Sequence, residues 1–342
     1  MTAPKPDVHI PVREDWLARR IEPVLDPDLE IVDPHHHLWD RPGARYLLPD
    51  LLADTGSGHR IVATVFIQCQ AMHRANGPEA MKPIGETEFA NGVAAMAASG
   101  HYGPTQACAG IVSHADLRLG DKVEEVLLAH IAAGGGRFRG IRHITAWNAD
   151  QSFLNPRSAV PRGLMADKSF RAGFARLGKL GLTFDAWLFH PQIPEVADLA
   201  AAHPGTTVIL DHVGGPIGRG AYAGRRAEVF RIWAASMREL ARRDNVVVKL
   251  GGLGMRINGF DFETADDPPS SEAVAEAWRP YIETCVEAFG VRRCMYESNF
   301  PVDKGSQSYR TLWNAFKRLS HAASAAEKAA LFKGTAQRVY RL

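Results

Sequence analysis

From residue 31 onward, short apolar runs alternate with longer stretches that repeat their apolar positions every three to four residues. Eight of the runs read as strands: Ile31 to His37, Ile61 to Gln70, Ala107 to His114, Phe138 to Ala146, Leu182 to Phe189, Thr206 to His212, Val246 to Leu250 and Cys294 to Phe300. VATVFI, TTVIL and NVVVKL are apolar at successive positions, as parallel strands are when helices cover both faces. Between them lie amphipathic helices. In DKSFRAGFARLGKLG, Phe170, Phe174 and Leu177 share one face, with Asp167 or Ser169 as N-cap and Gly181 as stop. In AEVFRIWAASMRELARR the stripe is Val229, Trp233, Met237 and Leu240. This alternation, with no linker-like tract between halves, predicts one closed α/β TIM (β/α)8 barrel over residues 29–342. An open doubly wound sheet is the alternative, but it calls for a G-x-G-x-x-G turn that the chain lacks.

Residues 1–28 carry several prolines and no period, so they read as an N-terminal arm with no catalytic role. Asn258 to Ser271, NGFDFETADDPPSS, reads as a long loop after the seventh strand, either a lid over the site or a disordered insertion. The glycines at 134–136 and 214–220 read as permissive loops.

Of the 342 residues, 46% are hydrophobic and 23% charged, a globular composition. A net charge of +2 without a basic run argues against nucleic acid as a partner. Cys69, Cys108, Cys285 and Cys294 are scattered and read as reduced core thiols. The N-terminus has no apolar leader, and no apolar run approaches the ~20 residues that span a bilayer. The expectation is a cytoplasmic protein acting on a small molecule, with homo-oligomerisation open.

The chemistry is predicted at the strand ends. In Asp33-Pro34-His35-His36-His37, alternation puts Asp33, His35 and His37 on one face and His36 on the other. H-x-H on a strand aimed into the barrel offers two imidazoles as metal ligands, although a histidine run can also just cap a strand. His212 in ILDH ends the sixth strand, and His190 follows the fifth as an even choice between site and loop. His73, His101, His114, His143 and His203 lack convergent support. Glu297 and Asn299 share a face of the last strand and Asp303 follows. Either acid could move a proton, while a structural ion pair of Glu297 with Arg142 or Lys249 is the alternative. Arg142 in GIRHI suits a substrate carboxylate, and alternation separates it from Arg139 if the strand is regular. Lys249, in an apolar strand, needs a partner and could touch substrate.

Together, DPHHHLWD, RGIRH, FHPQIP, ILDHVGGP, VVVKLGGLG and MYESNFPVD make the chain resemble the amidohydrolase-2 group of the amidohydrolase superfamily, in the branch that holds sugar lactonases and 2-pyrone-4,6-dicarboxylate lactonase. The resemblance implies a TIM barrel that hydrolyses C–O or C–N bonds, with His35, His37, His212 and a strand-eight acid in its site. It also implies one divalent metal, zinc or manganese, on the three histidines, with a metal-free route open because the branch is similar to enzymes that work without one. Where most of that family carries aspartate in G-S-D-x-P, this chain has Asn299 in E-S-N-F-P, and an amide is the weaker ligand and no base. The expectation is a lactonase for a carboxylate-bearing lactone. In it, His35, His37 and His212 hold a metal or the carbonyl, Glu297 or Asp303 handles the proton, and Arg142, His190, Lys249 and Asn299 contact substrate. The alternatives are a decarboxylase of an aromatic or enoic acid, by resemblance to aminocarboxymuconate semialdehyde decarboxylase, and a barrel that binds without catalysis.

Overall fold

In the computed structural model, which describes residues 9–150 and 160–342, eight parallel strands form one sheet in chain order. They are β1 (Glu30–His36), β2 (Arg60–Ile67), β3 (Gln106–Ser113), β4 (Phe138–Ile141), β5 (Thr183–Ala186), β6 (Val208–Leu210), β7 (Val246–Leu250) and β8 (Cys294–Tyr296). The sheet closes where β8 returns to β1: His36 bridges Phe300, His37 N–H donates to Phe300 O at 2.8 Å, and Asn299 N–H donates to His35 O at 2.9 Å. This is the expected TIM barrel. A helix follows each strand: α1 (Leu48–Thr55), α2 (Ile84–Ala98), α3 (Val123–Ala133), α4 (Lys168–Lys179), α5 (Ile193–Ala202), α6 (Arg226–Leu240), α7 (Ser271–Phe289) and α8 (Tyr309–Leu319). Asp167 caps α4 by accepting from Phe170 N–H at 2.8 Å, and Val229, Trp233, Met237 and Leu240 are the buried stripe of α6.

Most strands end earlier than their apolar runs, because residues near the mouth leave the ladder to point side chains at the site. β4 stops at Ile141 rather than Ala146, β5 at Ala186 rather than Phe189, and β8 at Tyr296 rather than Phe300. One expectation fails in β1. Its pairing with β2 shifts between Asp33 and His36, a bulge that adds one residue and reverses the alternation. Asp33 therefore does not share the face of His35 and His37. It stitches the seam instead, accepting from Ser298 N–H at 3.0 Å, His35 N–H at 3.3 Å and Tyr309 O–H at 2.9 Å. Burial raises its pKa to about 6 against those donors.

Inside the barrel, side chains change character by layer. Ile209, Val247 and Met295 belong to an apolar cluster with Val32, Val65, Ile67 and Val112. Two residues further along the same strands stand Asp211, Lys249 and Glu297, all fully buried. The C-terminal helix Thr335–Tyr340 packs Ala336, Val339 and Tyr340 into the apolar layer, and Tyr340 O–H donates to Asp185 Oδ1 at 2.6 Å. Cys108, Cys285 and Cys294 are buried free thiols, and Cys69 is free but only half-buried.

The arm before β1 lies against the barrel and reaches the loop after β7. That loop, Asn258 to Ser271, is described throughout and carries short 3-10 turns at Arg256–Asn258 and Phe262–Thr264. No helix among the described residues is long and apolar enough to cross a membrane. Residues 1–8, which hold much of the stretch read for a leader, are outside the described residues.

Gly140 lets β4 and β5 approach: a Cβ there would sit 2.1 Å from Thr183 Oγ1 and 2.5 Å from Thr183 O, and the carbonyl cannot yield. Gly140→Ala should cost ~1–3 kcal/mol, read as a lowered urea midpoint. An unchanged midpoint would show that the two strands do not pack this closely.

Candidate active site

Three imidazoles, two from the end of β1 and one from the turn after β6, meet at the barrel mouth. His35 Nε2 lies 3.3 Å from His37 Nε2, and the His35 and His212 rings lie 4.5 Å apart between centroids. All three are nearly fully buried. His36, on the other face, lies 2.8 Å from Thr64 Oγ1 and outside the cluster.

Glu297 holds the group together. Its Oε1 accepts from the His212 backbone N–H at 3.0 Å and from His212 Nδ1 at 2.7 Å, while Oε2 lies 2.8 Å from His35 Nδ1. Its structural partners are thus two histidines and not Arg142 or Lys249. Burial would raise the pKa of this carboxyl, but the two imidazoles beside it outweigh that and hold it at about 2. Two glycines make room for the pair. A Cβ on Gly251 would meet Glu297 O at 2.4 Å, and one on Gly252 would meet His212 Nδ1 at 2.3 Å, so the L-G-G-L run after β7 is shaped by the histidine it faces. His212 itself has φ +55°, sparsely populated for a non-glycine residue, and Asn299 has φ +56°.

These contacts assign the ring protons of His37 and His212. His37 Nδ1 lies 2.8 Å from Ile67 O and must carry a hydrogen there. His35 could donate from Nδ1 to Glu297 and accept at Nε2 from Arg142 Nη1, 3.2 Å away. The other tautomer would accept from Lys249 Nζ at 3.1 Å, but it would turn a lone pair toward a carboxylate and an N–H toward a guanidinium. His35 thus has a hydrogen-bonding neighbour on each ring nitrogen. Nδ1 of His37 and of His212 is spent on an oxygen, and Nε2 of each is the nitrogen left toward the cavity. His35 and His37 are held neutral, chiefly by burial, with nearby Lys249 and Arg142 adding to the shift.

Below the histidines runs a chain of buried charges. Lys249 Nζ donates to Asp185 Oδ1 at 2.7 Å and lies 3.1 Å from Asp211 Oδ1, which answers the question of its partner. Arg142 enters the mouth, with Nη1 3.5 Å from Asp211 Oδ2 and Nη2 bonded to Gln68 O, while Arg139 turns out to Gly136 O and Arg341 O. Asn299 Nδ2 donates to Asp303 Oδ1 at 2.7 Å, and Gly254 N–H donates to Asp303 Oδ2 at 2.8 Å. An aspartate at 299 would set two carboxylates at that distance, so the amide is matched to Asp303. Burial raises Asp303 to about 7 despite both donors.

His190 is not brought to the cluster. Its Nδ1 accepts from Ile217 N–H at 3.2 Å and its own N–H donates to Gly215 O at 3.1 Å, so it braces the loop after β6, and it does not line the cavity. His114 supports Arg142 from behind, Nδ1 3.3 Å from Arg142 O.

The histidines open on a cavity of about 500 Å3, counted with its mouth. His37, His212, Arg142 and Asn299 line it, and so do residues not foreseen as site members: His9, Trp39, Arg41, Gln68, Cys69 and Trp187. No acidic side chain is among the lining residues. The Gln68 amide is buried with both Nε2 and Oε1 unpaired, and Trp187 packs on edge against His212 at 4.8 Å. Nothing local marks Gln68 or Trp187 in the sequence, apart from their places at the ends of the apolar runs of β2 and β5.

Among the described residues, His35, Asp211 and His212 form the group whose donors lie close enough together, within 4.8 Å, to hold a metal ion; Asp211 replaces the expected His37. In the arrangement seen, two of these donors are already engaged by cations. His35 Nε2 faces Arg142, Asp211 lies between Lys249 and Arg142, and His212 Nδ1 serves Glu297. A guanidinium and an ammonium compete for the lone pairs of His35 and Asp211, while His212 keeps Nε2 toward the cavity, so an ion held here would have to displace Arg142 from the other two.

The amidohydrolase family profile matches residues 32–342. The chain is 32% identical over 339 residues to the uncharacterised protein y4mH of Sinorhizobium fredii, covering 92% of this chain and 99% of that one. It is 28% identical to an L-fucono-1,5-lactonase of Burkholderia multivorans, covering 91% and 96%. Among solved structures, an amidohydrolase from Burkholderia multivorans with bound zinc superposes with a TM-score of 0.70 at 27% identity, covering 91% of this chain and 99% of that one.

Glu297 sets an acid limit on stability. Its folded pKa of about 2 lies below the ordinary 4.5, so its contribution is complete above pH 4.5 and lost as the pH falls toward 2. The gap corresponds to roughly 3 kcal/mol. Glu297→Gln should be less stable at pH 7 and lose less between pH 4.5 and 2.5 in urea titrations. A variant with the wild-type pH dependence would show that the carboxylate is not held by the histidines.

Proposed function

Because the chain belongs to the amidohydrolase family, we propose that it hydrolyses a small carboxylate-bearing lactone using its own side chains. The observation that carries this reading is the cavity itself: imidazole nitrogens at its floor, guanidinium groups on its wall, a buried amide with no partner and no acid among its lining residues. Such a surface recognises an anion, and the unpaired Gln68 amide is suited to an oxygen of the substrate. Similarity to an L-fucono-1,5-lactonase supports the reaction class.

In this reading the ring carbonyl lies against Arg142 and Gln68, whose N–H groups stabilise charge on its oxygen. His212 Nε2 takes a proton from water as the oxygen attacks the carbonyl carbon. Glu297 holds the ring through Nδ1 and favours the imidazolium that forms. The tetrahedral species then collapses, the ring C–O bond breaks, and His212 returns the proton to the departing alkoxide. The product is the open hydroxy acid. Asp303 positions Asn299, and Lys249 positions Asp211 and His35, without meeting the substrate.

Assays on L-fucono-1,5-lactone and 2-pyrone-4,6-dicarboxylate should show ring opening that persists after dialysis against a chelator. His212→Asn should lower kcat by ~10²–10⁴-fold, the range for a general base. If no lactone is opened while an aromatic acid releases carbon dioxide, the decarboxylase reading replaces this one. Activity abolished by the chelator and restored by zinc would instead assign His212 to a metal.

A further inference from the structure

The family match begins at residue 32, yet the cavity has a wall that comes from before it. Trp16 is buried in the arm's short helix Glu14–Leu17, and its Nε1 donates to Ala265 O at 3.1 Å. The side chains of Arg13, Arg19 and Arg20 donate to three further carbonyls of the loop after β7, at 2.7, 3.2 and 2.6 Å. Upstream, Ile10 is buried on Gly305, where an added Cβ would meet Ile10 Cβ and O at 2.6 Å. Glycine is required there because the arm runs across it. The arm is thus fixed on both the loop and the barrel, and the residue before Ile10 has a defined place.

That residue is His9. Its ring lines the cavity and lies 6.0 Å from the Trp39 ring at 20° between planes. Trp39 in turn carries the Arg41 guanidinium 4.2 Å from its ring centroid and lies nearly parallel to His37. Trp39 is thus flanked by His9, Arg41 and His37, and all four line the same cavity. We propose that His9 contacts the substrate and helps set specificity, offering a ring N–H to an anionic oxygen, a carboxylate above all. The arm, read from the sequence as having no catalytic role, would then supply specificity from outside the matched residues 32–342. The inference rests on the cavity being the substrate site, and not on the substrate being a lactone.

The test uses the full chain with His9→Ala and His9→Gln. Citrate is titrated by calorimetry as a simple carboxylate, and kinetics are measured on whichever lactone is opened. In His9→Ala, the citrate Kd and the substrate KM should both rise about five- to twentyfold, as for loss of a charge-assisted hydrogen bond, with kcat within about twofold and the thermal midpoint unchanged. Glutamine, which keeps an N–H donor, should recover part of the loss. Affinities within twofold of the parent in His9→Ala overturn the inference and leave the lactonase reading intact. Citrate binding that depends on His9, with no lactone opened, supports the inference and sinks that reading. A parent chain that binds no carboxylate and opens no lactone sinks both.

Discussion

One carboxylate, Glu297, is the point from which the site is built. It sits at the end of β8 and bonds to side chains from β1 and from the turn after β6, so three segments far apart in the sequence share a single anion. A fully buried carboxylate alone would cost several kcal/mol, and two imidazoles with one backbone N–H offset that cost. The contact also fixes which nitrogen of His212 carries hydrogen, and hence which nitrogen is left for chemistry. The positive φ of His212 is tolerated because the same carboxylate takes both its backbone and its ring N–H.

Beneath that anion the barrel is organised as an ordered change of polarity. Each of β6, β7 and β8 presents an apolar side chain inward and, two residues later, a charged one. Tyr340, from the C-terminal helix, ties the lower layer to the upper through Asp185 and Lys249. The glycines after β7 extend the same logic, since 251 and 252 are small where Glu297 and His212 are close. The site is therefore rigid from below, and its variable part is the outer wall, where the arm, Trp39 and Arg41 stand.

The architecture was legible because parallel strands covered on both faces advertise themselves as continuous apolar runs, and because their ends carried histidines and charges. His35, His37, His212 and Arg142 were visible as strand-end residues that a barrel must turn inward. Asp33 was misplaced because alternation assumes a regular ladder, and the bulge in β1 is set by pairing with β2, which the local sequence does not encode. The partners of Glu297 and Lys249 were open for a related reason: an acid or a lysine in an apolar run announces that a partner exists, not where it comes from. His190 fell to the structural side because its neighbours Gly215 and Ile217, which bend back to it, lie more than twenty residues away. Gln68 and His9 carried no pattern at all, since each matters only through what stands across the cavity.

His37 and His212 spend their Nδ1 hydrogens on Ile67 O and Glu297 and leave Nε2 toward the cavity. Nitrogen-15 NMR of the histidine rings at neutral pH reads this directly. Nδ1–H signals are expected for His37 and His212, with the Nε2 shift of His37 typical of an unprotonated nitrogen. A proton on Nε2 of His37, or none on Nδ1 of His212, would contradict this arrangement.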